Sequence, residues 1–215
     1  MNVGVLGTGD VAKALARGFV GTGHSVRIGT RDPRSEKARA IAEAVGHGAS
    51  AVPFAAAAEF GELNVIAVQG HAVGPVVDLA GPKALEGKDL LDTTNPLDFS
   101  RGMPPGLFVG TTDSLGEQIQ RMVAGARVVK CFNTVPNSQM FRPRVPGGPA
   151  EMLICGNDAD AKKRTDALVR SFGWAGALDV GGIESARWLE ALVPLWVRTG
   201  VAVNSFDHVF RVVKP

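Results

Sequence analysis

Short apolar runs alternate along the chain with longer stretches whose apolar residues recur at helical spacing. Val3 to Leu6, Ser25 to Asp32, Leu63 to Val68, Lys88 to Asp92, Arg127 to Phe132, Met152 to Cys155 and Ala177 to Val180 lack a helical period and predict strands. Ala51-Val52 predicts a further short one. Between them, Val11, Leu15 and Phe19 share a helical face, as do Ala38, Ile41, Ala42 and Val45 within Arg34 to Val45. Val73, Val76, Val77 and Ala80 form another such face. Ala161, Leu168, Val169 and Phe172 form a fourth, with Asp158 as N-cap and Gly173 as C-terminal stop. Helices are also expected just after Pro53, over Ser114 to Val123, and over Ser185 to Gly200. The last should turn Leu189, Leu192, Val193 and Trp196 inward and kink at Pro194. Residues 98–113 and Arg142 to Pro149 read as loops.

Strand and helix in alternation predict an α/β protein: a Rossmann-like doubly wound, mostly parallel sheet. One NAD(P)-binding domain over 1–215 is expected, with its core over about 1–150. Residues 151–215 would form a small C-terminal α/β extension ending in a long helix.

Composition narrows the class. The chain has 215 residues, 45% of them hydrophobic, enough for a substantial core. A net charge of +2 implies no general affinity for nucleic acid. Cys131 and Cys155 are too few for a disulfide scaffold, and their apolar neighbours suit buried thiols. With no apolar run long enough to span a bilayer and a strand at the first residues, a cytoplasmic protein without membrane attachment is expected.

Ligands of doubly wound sheets bind just past the carboxyl ends of the strands. Five clusters of small or polar residues fall there. The first, Gly7-Thr8-Gly9-Asp10-Val11-Ala12, follows a strand and opens a helix, as the dinucleotide fingerprint requires. Gly7 makes the tight turn, Gly9 lets the backbone approach a pyrophosphate, and Ala12 lets helix and strand pack closely. The second, Thr30-Arg31, stands where an NAD site carries an acidic residue. A hydroxyl and a guanidinium there, with Arg34 nearby, suit the 2′-phosphate of NADP. Asp32, if turned inward, would instead hold the ribose of NAD. The others are Val68-Gln69-Gly70, Thr94-Asn95-Pro96 and Asn133-Thr134-Val135-Pro136.

No other chemistry stands out. His24, His47, His71 and His208 lack metal-ligand spacing, and no P-loop lysine or nucleophile elbow is present. His71 lies past a strand end, where it could line the site. Arg142 and Arg144 are either surface charge or a grip for an anionic second substrate. A hydride transferase needs no protein acid or base, because the nicotinamide does the chemistry.

Gly7 to Val11, Ile28 to Asp32, Val128-Val129-Lys130-Cys131-Phe132-Asn133-Thr134-Val135 and Ser185 to Glu190 together resemble the NADP oxidoreductases that use the deazaflavin coenzyme F-420. They equally resemble the family's bacterial dinucleotide-binding relatives and the reductase domain of six-transmembrane ferric reductases. The resemblance implies hydride transfer between NADP(H) and a small-molecule redox cofactor as substrate, coenzyme F-420 or a flavin (FAD or FMN), in a homodimer. It would place Thr8, Thr30 and Arg31 on the 2′-phosphate side of NADP, and Val68, Gln69, Asn95 and Pro96 beside the nicotinamide half. Asn133, Val135 and Pro136 would face the second ring. The alternative is a non-catalytic NADP-binding sensor or partner protein.

Overall fold

The structure, a computed structural model, describes residues 1–46 and 48–213; His47 lies outside them. In chain order the elements are β1 (Asn2–Leu6), α1 (Asp10–Gly21), β2 (Ser25–Thr30), α2 (Glu36–Val45), β3 (Ala49–Pro53), α3 (Phe54–Phe60) and β4 (Leu63–Ile66). Next come α4 (Val73–Ala80), α5 (Pro82–Leu85), β5 (Asp89–Asp92), the two-residue strands β6 (Leu97–Asp98) and β7 (Gly106–Leu107), and α6 (Leu115–Met122). The chain closes with β8 (Arg127–Lys130), β9 (Glu151–Gly156), α7 (Ala159–Ser171), β10 (Gly176–Asp179) and α8 (Ala186–Ala202).

Eight strands form one sheet in the order β10-β9-β8-β5-β4-β1-β2-β3, and β6 pairs with β7 separately. Every pairing in the large sheet is parallel except β8 with β9. The expected doubly wound, mostly parallel sheet is therefore present, ending in a long helix. The central strands read as continuous apolar runs because helices cover both faces. Val3, Val5, Leu15, Phe19, Ile28 and Val65 lie in one buried cluster, and Leu6, Ile66, Val77, Leu90, Ile119 and Val128 in the other.

Local chemistry explains the boundaries. Ser35 caps α2 by accepting the N–H of Ala38, so that helix starts two residues later than its apolar pattern suggests. Ser114 and Asp158 cap α6 and α7 in the same way, the latter as expected. The strand expected over Arg127 to Phe132 ends at Lys130, since Phe132 takes a left-handed φ of 61° that no strand accommodates. The strand expected over Leu63 to Val68 ends at Ile66.

Helix α8 needs one correction. Its inward seam runs through Ala186, Leu189, Glu190, Val193, Val197 and Gly200. Leu192 and Trp196, expected inside, are only half buried. Trp196 turns instead to the C-terminal tail, where its Nε1 donates to the carbonyl of His208 and its ring stacks on that imidazole at 4.7 Å.

Candidate dinucleotide and redox site

Parallel pairing brings the carboxyl ends of β1, β2, β4, β5 and β8 to one edge. From β1 the chain winds out through β2 and β3, then returns to β4 on the other side of β1. The switch point thus lies between β1 and β4, and the turn after β1 sits over it. Gly7 makes that turn with φ 141°, and its N–H donates to the carbonyl of Gly29 at 3.1 Å. A Cβ on Gly7 would lie 2.2 Å from the carbonyl oxygen of Ala67, so only glycine fits.

Gly9 differs. Its backbone is extended, at φ −85° and ψ −178°, and a Cβ there would meet nothing within 4 Å. It is the N-cap of α1 without a side-chain cap, so the first turn of that helix offers free N–H groups beside empty space. That open cradle fits a pyrophosphate, because backbone donors and helix dipole both favour an anion there. Next to it, Thr8, Gly9, Asp10, Lys13, Lys37, Ala40 and Ile41 line a cavity of about 190 Å³. Val11 is half buried against the core. The ammonium groups of Lys13 and Lys37 escaped the sequence reading; a lysine in the first turn or so of each of two neighbouring helices has no local signature.

At the end of β2, Thr30 is half buried, and Arg31 and Arg34 are exposed. Asp32 does not turn toward a ribose position. Its Oδ1 accepts the backbone N–H of Arg34 at 2.9 Å, and its carbonyl accepts from Ser35, so its carboxylate belongs to the turn leading into α2. Arg31, Arg34 and Lys37 face solvent here, with Asp10, Asp32 and Glu36 exposed among them.

Farther along the edge, Val68 is half buried and Gln69 exposed, while Pro96 and Asn133 are buried and Asn95, Val135 and Pro136 half buried. Asn95 and Asn133 hold each other. Asn95 Nδ2 donates to the carbonyl of Asn133 at 2.8 Å, and Asn133 Nδ2 donates to Asn95 Oδ1 at 3.0 Å. Asn133 Nδ2 also donates to the carbonyl of Leu189 in α8. Asn133 is 6% exposed, yet its Oδ1 has no hydrogen-bond partner. Phe108, just after β7, packs against Gly70 and stacks on His71 at 4.0 Å, so His71 borders this edge.

Beneath the two asparagines lies a buried charge network. Lys130 Nζ donates to Asp92 Oδ2 at 2.8 Å, to Glu190 Oε1 at 2.6 Å and to the carbonyl of Thr94 at 2.7 Å. Glu190 also accepts the N–H groups of Leu115 and Gly116 that open α6. Burial raises the pKa of Glu190. Burial alone would lower that of Lys130, but Asp92 and Glu190 outweigh it and hold the ammonium above its ordinary value. A lysine inside the apolar run Val128-Val129-Lys130-Cys131 was the available signal, since a charge in a buried strand demands partners.

The remaining candidates take no visible part in this edge. Cys131 and Cys155 are buried free thiols; burial pushes Cys131 well above the ordinary value and Cys155 up to about 12. The Arg142 guanidinium lies over the Phe141 ring at 5.0 Å, and the N–H of Arg144 donates to Gln139 Oε1. The larger cavity, about 530 Å³, opens at the amino-terminal edge of the sheet near Leu63, Asp89 and Arg127. Asp89 is already shared there by Arg127 and Arg164, and among the described residues no glycine lines that place. Among the described residues, no group of His, Cys, Asp and Glu is gathered to hold a metal, and no helix is long and apolar enough to cross a membrane.

Residues 2–96 match the family model for the coenzyme F420-dependent NADP oxidoreductases. The chain is 30% identical to the F420-dependent NADP reductase of Methanothermobacter marburgensis, over 94% of this chain and 93% of that protein. It is 31% identical to the rat metalloreductase STEAP3 over 95% of its own length, but spans only 40% of that protein. A solved structure from Arthrobacter sp. FB24, described as a candidate F420-dependent NADP reductase, superimposes with a TM-score of 0.95 at 41% identity, each chain covered completely.

Proposed function

We propose, for a chain that belongs to the coenzyme F420-dependent NADP oxidoreductase family, hydride transfer between NADP(H) and coenzyme F420 or a flavin. NADP-dependent oxidoreduction is what the names of the family and of its Methanothermobacter and Arthrobacter relatives share; the choice of acceptor is our reading. The observation that carries it is the open cradle at Gly9, set at the switch point and flanked by cationic side chains.

In this reading the backbone of Thr8, Gly9, Asp10 and Val11 receives the pyrophosphate. Thr30, Arg31 and Arg34 grip the 2′-phosphate, with Lys37 and Lys13 extending the positive rim. Val68, Gln69, Asn95 and Pro96 flank the nicotinamide half, and Asn133, Val135 and Pro136 face the acceptor ring. When bound, the reduced nicotinamide supplies a hydride, and the acceptor takes it with one proton from solvent, a two-electron reduction. The protein aligns the two rings and excludes water. Trp188 and Leu195 stand exposed two turns apart on one side of α8 and would meet a second copy in a homodimer, which light scattering on a sizing column would reveal.

The test mixes protein and NADPH with coenzyme F420, FMN or FAD and follows the loss of NADPH absorbance. Turnover with a deazaflavin or flavin is expected. NADPH binding without turnover on any of the three would refute the oxidoreductase reading and leave an NADP-binding sensor or partner protein.

A further inference from the structure

Two stretches that stand out in the sequence, Lys130 to Val135 and Ser185 to Glu190, meet in the fold through residues that the proposed function leaves without a role. Lys130 of β8 pairs with Glu190 of α8 at 2.6 Å, both side chains at most 2% exposed. With Asp92, two carboxylates share one ammonium in a fully buried place. The excess negative charge is met by backbone and hydroxyl donors. The N–H groups of Leu115 and Gly116 reach Glu190, and the N–H and Oγ1 of Thr94 reach Asp92 Oδ1. Buried ion networks are weak contributors to stability compared with apolar packing, so their location asks for another explanation.

Two points of this network, the Thr94 carbonyl and Glu190, are next in sequence to a member of the asparagine pair or to its anchor. Lys130 donates to the carbonyl of Thr94, and the next residue is Asn95. Glu190 follows Leu189, whose carbonyl takes Asn133 Nδ2. Fixing Glu190 therefore fixes both ends of the Asn95–Asn133 pair. The pair in turn spends both Asn133 Nδ2 hydrogens inside the protein and leaves Oδ1 as a buried, unpartnered acceptor. A buried acceptor without a partner costs free energy unless a donor arrives.

We infer that Glu190 is a positioning residue: through Lys130 and Leu189 it locks the Asn95–Asn133 pair so that Asn133 Oδ1 accepts an amide-type N–H from a ring bound at the redox edge. This rests on the proposed function. Both the nicotinamide carboxamide and the ring of a deazaflavin or flavin carry such an N–H, and the experiment separates them.

The experiment compares wild type, Glu190→Gln, Asn133→Ala and the double variant. It measures the NADPH dissociation constant by fluorescence and kcat and KM for coenzyme F420 and for FMN, with melting temperature as control. Glu190→Gln leaves the neutral Lys130–Asp92 pair, so its melting temperature should stay within a few degrees of wild type. We expect it to weaken one ligand about tenfold. An effect on the NADPH constant identifies the carboxamide as the partner; an effect on acceptor KM identifies the second ring. Asn133→Ala should weaken the same ligand, and the double variant should be no worse than Asn133→Ala alone, because both act through one acceptor. Wild-type constants in Glu190→Gln, or losses that multiply in the double variant, would overturn the inference. If Glu190→Gln fails to fold, Lys130→Met, Asp92→Asn and Glu190→Gln together remove every charge of the network, and the same cycle with Asn133→Ala is run on that background. Wild type that binds no NADPH would instead overturn the proposed function on which the inference stands.

Discussion

Gly9→Ala separates folding from binding at a single atom. The residue has φ −85° and ψ −178°, a conformation open to any residue, and its new Cβ would have no neighbour within 4 Å. Removing backbone freedom from the unfolded chain at such a position should leave stability unchanged or raise it by about 0.4–1 kcal/mol. Binding should respond in the opposite way. The methyl group would occupy the space where a pyrophosphate approaches the first turn of α1. Loss of two charge-assisted contacts to backbone N–H groups, at about 1.5–3 kcal/mol each, comes to roughly 3–6 kcal/mol. That corresponds to a fall in NADPH affinity of about 10²–10⁴-fold. Thermal melting and NADPH fluorescence titration measure the two halves. Gly7→Ala is the contrast: its Cβ would strike the Ala67 carbonyl at 2.2 Å with φ at 141°, so it should unfold the chain. A Gly9→Ala protein that melts early, or that binds NADPH within threefold of wild type, would refute the reasoning.

Other expectations are as direct. Arg31→Ala removes an exposed guanidinium and should weaken NADPH by about 1.5–3 kcal/mol while sparing NADH; equal losses in the two titrations would show that Arg31 does not read the 2′-phosphate. Both thiols should resist a disulfide reagent at pH 8 in the native protein and react on unfolding, since each is buried with its pKa pushed up. Burial raises the pKa of Asp89, but the hydrogen bonds from Arg164 and Arg127 outweigh it and the pKa is lowered. Its contribution to stability is therefore full above the unfolded value near 3.9 and disappears as pH falls through the folded one. Asp89→Asn should thus cost about 1–3 kcal/mol at neutral pH, and its denaturation curve should converge with wild type in strong acid; a constant offset at all pH would contradict this.

How much of this was legible in the chain depends on the range of the interactions involved. The turn from β1 into α1 is local: an apolar run, a glycine that tolerates φ 141° and an amphipathic helix are all visible within twenty-odd residues. The Asp158 cap was equally plain. The reversal of β9 against β8 was not, because strand direction is set by where the intervening loop lands. The partners of Lys130 lie 38 and 60 positions away, and nothing in either neighbourhood announces the other. The role of Asp32 was hidden although its partners are local, because a carboxylate that can close a turn can equally reach a ligand. As a letter it could serve a ribose, and only the folded turn shows its carboxylate taken by the N–H of Arg34. In α8 the helical stripe was visible but its rotation was not: Leu192 and Trp196 read as inward, while the buried seam takes Glu190 and Val197 instead.

The late position of Glu190 bears on the order in which the protein is made. The glycine turn leaves the ribosome well before α8 and can form its strand and helix early. Yet Lys130 and the opening N–H groups of α6 find their shared acceptor, Glu190, only once α8 has been synthesised. A nascent chain arrested before that point would leave the N–H groups of Leu115 and Gly116 without their carboxylate and Asn133 without the Leu189 carbonyl. The redox edge is therefore completed by the last helix, and a chain truncated upstream of it would be recognisable to quality control as unfinished at its centre rather than merely short at one end.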